Sequence, residues 1–221
     1  MNDLLDEVID WINKSDKPVI IGISGHGAEG KTTFSTKLTQ LIGINEVSYI
    51  NTDPYIVPSQ LRKYAMISYH YQHERYRSKM TACHLDAHHT SSLERDIRMI
   101  KSGLDFYTID TDYKKSELIS SKKVTIIEGM SVAFIDPTLM DLKIYFYTDD
   151  ETELVRRVGR DILERGRDIT ALRQSHKQRR IQYELFMHPF SQNFDIIIKN
   201  SNEKVWIEKN LLTKLVKPSE N

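Results

Sequence analysis

The feature that most constrains this chain is a glycine-rich stretch at residues 25–32. It reads Gly-His-Gly-Ala-Glu-Gly-Lys-Thr and matches the pattern G-x-x-x-x-G-K-[S/T]. Residues 19–23 before it are apolar apart from one glycine, as in a buried parallel strand, and residues 31–41 after it carry apolar side chains at helical spacing. A loop between such elements wraps backbone N–H groups around phosphate oxygens. The stretch predicts a triphosphate site, the alternative being a glycine-rich turn without a ligand.

The lysine and threonine that end the stretch have defined roles in such a loop. Lys31 can reach the β- and γ-phosphates of a nucleotide, and the Thr32 hydroxyl can ligate Mg²⁺. A D-x-x-G switch motif is absent from the sequence, which disfavours a regulatory GTPase. We therefore predict ATP and Mg²⁺ as the ligands. The loop residues predicted to contact the nucleotide are Gly25, His26, Gly27, Ala28, Glu29, Gly30, Lys31, Thr32 and Thr33.

Two acidic residues directly follow predicted strands, where ligands bind in open α/β sheets. Asp53 comes after residues 47–50, and Glu128 comes after residues 124–127. Asp53 is suited to accept a proton from an attacking hydroxyl, although an Asp before a proline is also a common turn former. Glu128 can hold Mg²⁺ together with Thr32, the alternative being a polar cap at the end of the strand.

Residues 151–168 are unusually rich in arginine for a chain whose 31 basic residues balance 31 acidic ones. Arginine forks stabilise the charge on transferring phosphoryl oxygens, so residues from about 157 to 172 are predicted to form a lid. The alternative is a solvated helix with ion pairs between residues four apart. Arg165 and Arg167 flank Gly166 and are the arginines that we expect to meet phosphate.

Strands that alternate with helices predict an α/β fold with a parallel sheet, and 221 residues suit one domain over residues 1–221. Residues 60–77 are polar and rich in Tyr and His, with a helical tendency, and their tyrosines either stack on a flat substrate or cover the flank of the domain. Residues 105–119 are predicted to form a small hairpin. Residues from about 56 to 90 are a candidate insertion on the substrate side.

The charge balance and hydropathy exclude several classes of partner. A net charge of zero gives no general attraction for a polynucleotide or an anionic membrane surface. No stretch approaches the roughly 20 apolar residues that span a bilayer. We therefore expect a cytoplasmic protein that acts on a small hydroxylated molecule and binds neither nucleic acid nor a membrane. Whether the protein forms a homo-oligomer is left open.

By these motifs the chain resembles the uridine kinase-like branch of P-loop kinases, which includes phosphoribulokinase, over residues 18–199. The Asp53-Pro54-Tyr55 segment is similar to the family's Asp-x-Phe-Tyr, and residues 160–168 nearly repeat its lid motif, Arg-Asp-Ile-Leu-Glu-Arg-Gly-Arg-Asp. The other segments that carry the resemblance are residues 25–33, 84–86 and 127–129.

The resemblance implies the P-loop NTPase fold, with a five-stranded, mostly parallel sheet flanked by helices, a small hairpin and an arginine-rich lid. It also implies that Asp53 activates a sugar hydroxyl and that Asp86 binds ribose hydroxyls. Tyr107 matches a substrate-binding Tyr of the family, whereas Asp112 or Tyr113 stands where members that use pyrimidine nucleosides carry His. The arginines implied to handle phosphates are Arg157, Arg160, Arg165 and Arg167.

Together these observations predict an ATP-dependent kinase whose acceptor is a small nucleoside- or sugar-like molecule. Asp53 is the predicted base, Lys31 and the lid arginines stabilise charge, and Thr32 with Glu128 holds the metal. One alternative is an ATP-binding regulatory protein of the same fold without nucleoside kinase activity. A polynucleotide kinase or helicase-like role is disfavoured by the zero net charge.

Overall fold

The computed structural model describes residues 1–112, 114–165, 169–202 and 204–215, without the side chains of residues 160–165, 169–172 and 174. Helices and strands alternate along most of the chain, as the sequence predicted. The helices are α1 Asn2–Asn13, α2 Lys31–Ile42, α3 Ser59–Arg62, α4 Thr90–Lys101, α5 Asp150–Arg165, α6 Ile169–Phe186 and α7 Leu212–Leu215. The strands are β1 Val19–Gly25, β2 Val47–Asn51, β3 Met66–Tyr71, β4 Glu74–Lys79, β5 Phe106–Tyr107, β6 Leu118–Ile119, β7 Val124–Glu128, β8 Leu142–Tyr147, β9 Ile196–Ser201 and β10 Lys204–Asn210.

The central sheet has the strand order β10-β9-β8-β1-β7-β2. Five neighbouring strands of this order, β9, β8, β1, β7 and β2, pair in parallel, which confirms the predicted α/β class. The expectation of five strands was incomplete, because β10 adds a sixth, antiparallel strand at the edge. Most of its side chains are exposed, and such a strand lacks the alternation of buried and exposed residues that reveals a strand in a sequence.

The two faces of the sheet build two separate hydrophobic clusters. Neighbouring strand residues point to opposite faces, so Ile20 and Ile127 pack with residues of α4 while Ile21 and Ile126 pack with residues of α1 and α2. Strands β1 and β7 are buried along their whole length. Covering both faces leaves the carboxyl ends of the strands as the open edge where a ligand can bind.

The helical tendency expected for residues 60–77 was wrong over most of that stretch. Helix α3 ends at Arg62, and β3 and β4 form an antiparallel hairpin with Gln72 and His73 as its two turn residues. Both have positive φ, 49° and 66°, as a tight hairpin turn requires. The sequence hides this turn because Gln-His replaces the Asn-Gly or Asp-Gly that usually marks it. By contrast, the hairpin predicted within residues 105–119 is confirmed by the pairing of β5 with β6.

The β3–β4 hairpin packs against α6 through a buried glutamine. Gln182 Nε2 donates hydrogen bonds to Ser78 Oγ and to the Lys79 carbonyl, each at 2.9 Å, and its Oε1 accepts one from the Thr81 N–H at 2.8 Å. The Tyr69 ring meets Phe186 edge to face at 5.7 Å. This tyrosine therefore covers the flank of the sheet domain.

Across the described residues, no helix combines the length and hydropathy needed to cross a membrane.

Candidate active site

The glycine-rich loop connects the end of β1 to the start of α2, as predicted. Gly25 and Gly30 have φ of 141° and 99°, values that favour glycine. A Cβ atom on Gly25 would lie 2.1 Å from the Phe146 carbonyl oxygen, so a side chain there would push the loop off the neighbouring strand. The glycines of this motif are therefore required by the backbone path of the loop, and Lys31 and Thr32 begin the helix beyond it.

A cavity of about 470 Å³ opens beside this loop at the carboxyl ends of the strands. Its lining brings together Lys31, Thr32, Asp53 and Glu128, which lie far apart in the chain. The cavity falls within the size range of small-molecule sites. The parallel order of β1, β7 and β2 explains the convergence, since Gly25, Glu128 and Asn51 each end a strand at this edge.

Glu128 and Thr32 form the part of the cavity suited to a hard cation. The Thr32 hydroxyl donates to Glu128 Oε2 at 3.4 Å, and the Tyr49 hydroxyl donates to the same oxygen at 2.9 Å. Glu128 is 4% exposed, so the tyrosine orients a carboxylate that is otherwise screened from water. Carboxylate and hydroxyl oxygens are ligands that suit Mg²⁺, so the residues present fit this ion.

Asp53 begins a short helical turn, Asp53–Tyr55, separated from the end of β2 by one residue. Its backbone N–H donates to Asn51 Oδ1 at 2.8 Å, which fixes the chain where it leaves the sheet. The Asp53 side chain is exposed and lines the cavity. An exposed carboxylate at this position is accessible to a hydroxyl that enters the cavity.

Lys31 is held inside the loop next to a buried carboxyl group. Lys31 Nζ donates to the His26 carbonyl and lies 3.9 Å from Glu29 Oε2. Glu29 is fully buried, and within the described structure neither of its carboxyl oxygens has a hydrogen-bond partner. Burial raises the pKa of Glu29 well above its usual range, although Lys31 works in the opposite direction. The raised pKa favours the protonated, uncharged form of Glu29, which leaves the Lys31 charge available for phosphate.

Replacing Glu29 with glutamine tests this assignment, because glutamine mimics a protonated glutamate in size and charge. We expect the Kd for ATP of Glu29→Gln at pH 7.5 to stay within about threefold of the wild-type value. Calorimetric titration with ATP and Mg²⁺ measures it, and Glu46→Gln on an exposed turn is the matched control. An ionised Glu29 would weaken phosphate binding. A gain in ATP affinity of more than about tenfold in Glu29→Gln would therefore contradict the assignment.

His26 connects the loop to an arginine of α6. Arg179 Nε donates to His26 Nε2 at 2.7 Å, and His26 Nδ1 lies 2.9 Å from Glu153 Oε1. Burial, and then the Arg179 charge, lower the pKa of His26 to about 3, so the imidazole is neutral with its proton on Nδ1. Burial alone would raise the pKa of Glu153, yet His26, Arg179 and His176 bring it to about 2. An ionised carboxylate thus anchors the back of the site.

A second recess of about 420 Å³ lies on another side of the loop. Lys31, Thr32 and Thr33 line it together with Arg156 and Asn200, two residues that the sequence did not single out as ligands. Arg156 NH1 donates to the Ala28 carbonyl at 3.2 Å and to the Asn200 carbonyl at 3.0 Å. Because Lys31 and Thr32 line both openings, the loop separates two compartments.

Among the predicted site residues outside the glycine-rich loop whose side chains the structure describes, three do not line the main cavity. Arg157 is 7% exposed and turned toward the interior, with NH1 3.5 Å from Glu153 Oε1. The Asp86 side chain is 72% exposed and lies 3.8 Å from the ring of His84, and Tyr107 on β5 is 64% exposed. Their contact with a ligand stays a prediction. The side chains of the other predicted lid arginines, Arg160, Arg165 and Arg167, lie outside the described residues.

Sequence reasoning missed two arginines of the main cavity, Arg62 and Arg179. Arg62 ends α3 within a stretch that was expected to continue as a helix. Arg179 lies on α6 beside Arg173, Lys177 and Arg180, and a basic helix of this kind has the pattern of a solvated face. Neither residue had a local signal that marks it as a ligand, because their proximity arises only from the tertiary fold.

Comparisons with known proteins agree with this geometry. The sequence profile of the phosphoribulokinase/uridine kinase family matches residues 20–205. A uridine kinase from Ligilactobacillus salivarius is 32% identical over 222 residues, which cover 92% of this chain and 95% of that protein. A uridine kinase from Lactobacillus helveticus is 30% identical over 219 residues, which cover 92% of this chain and 97% of that protein.

A solved structure shares the fold at low sequence identity. D-glycerate 3-kinase from Cryptococcus neoformans superposes with a TM-score of 0.59 at 11% identity, covering 93% of this chain and 98% of that chain. At this identity the likeness concerns the fold alone. The family profile and the uridine kinases confirm the resemblance found in the sequence, and the chain belongs to the phosphoribulokinase/uridine kinase family of P-loop kinases.

Proposed function

We propose that this protein is an ATP- and Mg²⁺-dependent kinase that transfers the γ-phosphoryl group to a hydroxyl of a small nucleoside- or sugar-like acceptor. The observation that carries the proposal is the single cavity lined by Lys31, Thr32, Glu128 and Asp53. Phosphoryl transfer needs a phosphate cradle, a cation site and a base within reach of the same reacting atoms. The uridine kinases among the relatives support nucleosides as the first acceptors to test.

Each residue has one role in this proposal. Lys31 binds β- and γ-phosphate oxygens, and the backbone of residues 25–30 wraps the phosphates with its N–H groups. Thr32 and Glu128 hold Mg²⁺, which when bound offsets the charge of the phosphate oxygens. Asp53 accepts the proton of the attacking hydroxyl as the new P–O bond forms.

The two compartments around the loop support an orientation for the substrates. The recess with Arg156 and Asn200 receives the nucleoside part of ATP, and the cavity with Asp53 receives the acceptor. Lys31 and Thr32 lie at the boundary, where the terminal phosphate of ATP would meet the acceptor hydroxyl. The arginines predicted for the lid, Arg165 and Arg167, are proposed to cover that phosphate, as the family resemblance implies.

A panel of acceptors tests the proposal directly. We expect ADP release above the ATP-only background with at least one of uridine, cytidine, ribulose 5-phosphate and D-glycerate, measured by a coupled assay with ATP and Mg²⁺. Mass spectrometry of the product should show one added phosphoryl group. Tight ATP binding without phosphorylation of any acceptor would instead favour the regulatory alternative.

A further inference from the structure

Two arginines line the cavity that holds Asp53. Arg62, at the end of α3, belongs to the chain segment that follows Asp53, and Arg179 extends from α6. Neither residue lines the recess with Arg156 and Asn200. The two guanidinium groups are therefore on the side of the loop that we assign to the acceptor.

Arg62 is fixed in place by neutral groups. Its Nε donates to the Val57 carbonyl at 2.7 Å, and its NH1 donates to the Met80 carbonyl at 3.2 Å. The side chain is half-buried. Backbone carbonyls orient the guanidinium group without neutralising its charge, so Arg62 presents an oriented positive charge to the cavity.

Arg179 is also fixed by a neutral partner. Its Nε donates to the uncharged imidazole of His26, and its NH2 lies 3.8 Å from Met130 Sδ. A Cβ atom on Gly27 would be 3.5 Å from the same NH2, so the guanidinium group lies over the start of the loop. Among the described residues, neither Arg62 nor Arg179 forms an ion pair with a carboxylate.

The two positive charges are close enough to repel each other. Burial, and then repulsion from Arg179, lower the pKa of the Arg62 guanidinium. Bringing like charges together in a partly buried cavity is unfavourable unless a counter-ion joins them. Lys31 is already assigned to the phosphates of ATP, so these arginines provide additional positive charge for a second anion.

We infer that Arg62 and Arg179 form an anion subsite, and that the phosphoryl acceptor carries a carboxylate or phosphate group in addition to its hydroxyl. This inference rests on the proposed function, since it assigns the cavity to the acceptor. A guanidinium fork suits both kinds of anion because it binds two of their oxygens at once. A neutral nucleoside would offer no anionic group to either arginine.

Binding to the nucleotide-loaded protein tests the subsite without requiring turnover. The full chain is saturated with a non-hydrolysable ATP analogue and Mg²⁺, so that the loop is occupied, and is then titrated calorimetrically with ribose 5-phosphate, D-glycerate and sulfate. Ribose and glycerol are the neutral counterparts. We expect at least one anionic probe to bind roughly tenfold or more tightly than its neutral counterpart. Comparing glycerate with ribose 5-phosphate distinguishes a carboxylate from a phosphate.

Substitutions of Arg62 assign the effect to this residue. Arg62→Gln should lower the affinity for the preferred anionic probe by roughly ten- to hundredfold and should change the affinity for the ATP analogue little. Arg62→Lys keeps the charge and should recover part of the loss. Arg98→Gln, at an exposed ion pair on α4, is the matched control and should bind like the wild type. Thermal unfolding verifies that each variant is folded.

The outcomes separate this inference from the proposed function. Anion binding that depends on Arg62, without phosphorylation of any acceptor, would support the subsite and reject the kinase proposal. Turnover of uridine alone with unchanged kcat/KM in Arg62→Gln would keep the kinase and overturn the subsite. The subsite would also be overturned if Arg62→Gln lost affinity for the ATP analogue and for the anion to the same extent. The same holds if no anionic probe bound better than its neutral counterpart.

Discussion

Replacing Asp53 with asparagine should abolish most acceptor-dependent turnover while ATP binding stays nearly unchanged. Asparagine has almost the same shape, and the Asp53 backbone N–H that donates to Asn51 at 2.8 Å is retained, so the turn after β2 should persist. The variant loses the group that accepts the proton of the attacking hydroxyl. General-base catalysis contributes roughly 10² to 10⁴ in rate, so we expect kcat to fall by about that factor.

Two measurements make this result specific to the base. The Kd for ATP in Asp53→Asn should remain within about threefold of the wild-type value, because Asp53 is not assigned to the nucleotide. Asp10→Asn, on the exposed side of α1, removes an equal charge far from the cavity in sequence and should leave kcat unchanged. Near-normal turnover in Asp53→Asn would show that another group, or the substrate itself, takes the proton.

The parts of the site that local pattern predicted are those controlled by sheet topology. Residues 25–32 lie between β1 and α2. Asp53 follows strand β2, and Glu128 is the last residue of strand β7. In a parallel sheet, the carboxyl ends of neighbouring strands meet at one edge, so a sequence that identifies these strands also brings their terminal residues together. That physical rule does not require any knowledge of loop conformation.

The parts that pattern did not predict depend on contacts between distant segments. Arg62 and Arg179 share a cavity because α6 and the segment after Asp53 lie on the same side of the loop. The neutral state of His26, which holds Arg179, results from burial and from charges on α5 and α6. Burial and pairing of this kind leave no periodic signal, because the same residues on a solvated surface would produce an identical sequence.

Replacing Lys31 with methionine should have the second large effect, in this case on the nucleotide. Methionine keeps an unbranched side chain of similar length in a position that is only 8% exposed, but it removes the charge. The Glu29 carboxyl group beside it cannot substitute for an ammonium group near phosphate oxygens. Losing one preorganised charge donor to the transferring phosphoryl group costs roughly 10² to 10³ in rate, so kcat/KM for ATP should fall by at least that factor.

Lys37→Met is the matched control for this experiment, because Lys37 lies on the exposed side of the same helix, α2. It should leave kcat/KM for ATP unchanged, and urea denaturation of both variants should show that α2 still packs against the sheet. A folded Lys31→Met variant with wild-type kcat/KM would mean that residues 25–32 do not bind the reacting phosphates. Because the assignment of the cavity depends on that loop, such a result would also remove the basis for placing the acceptor beside Asp53.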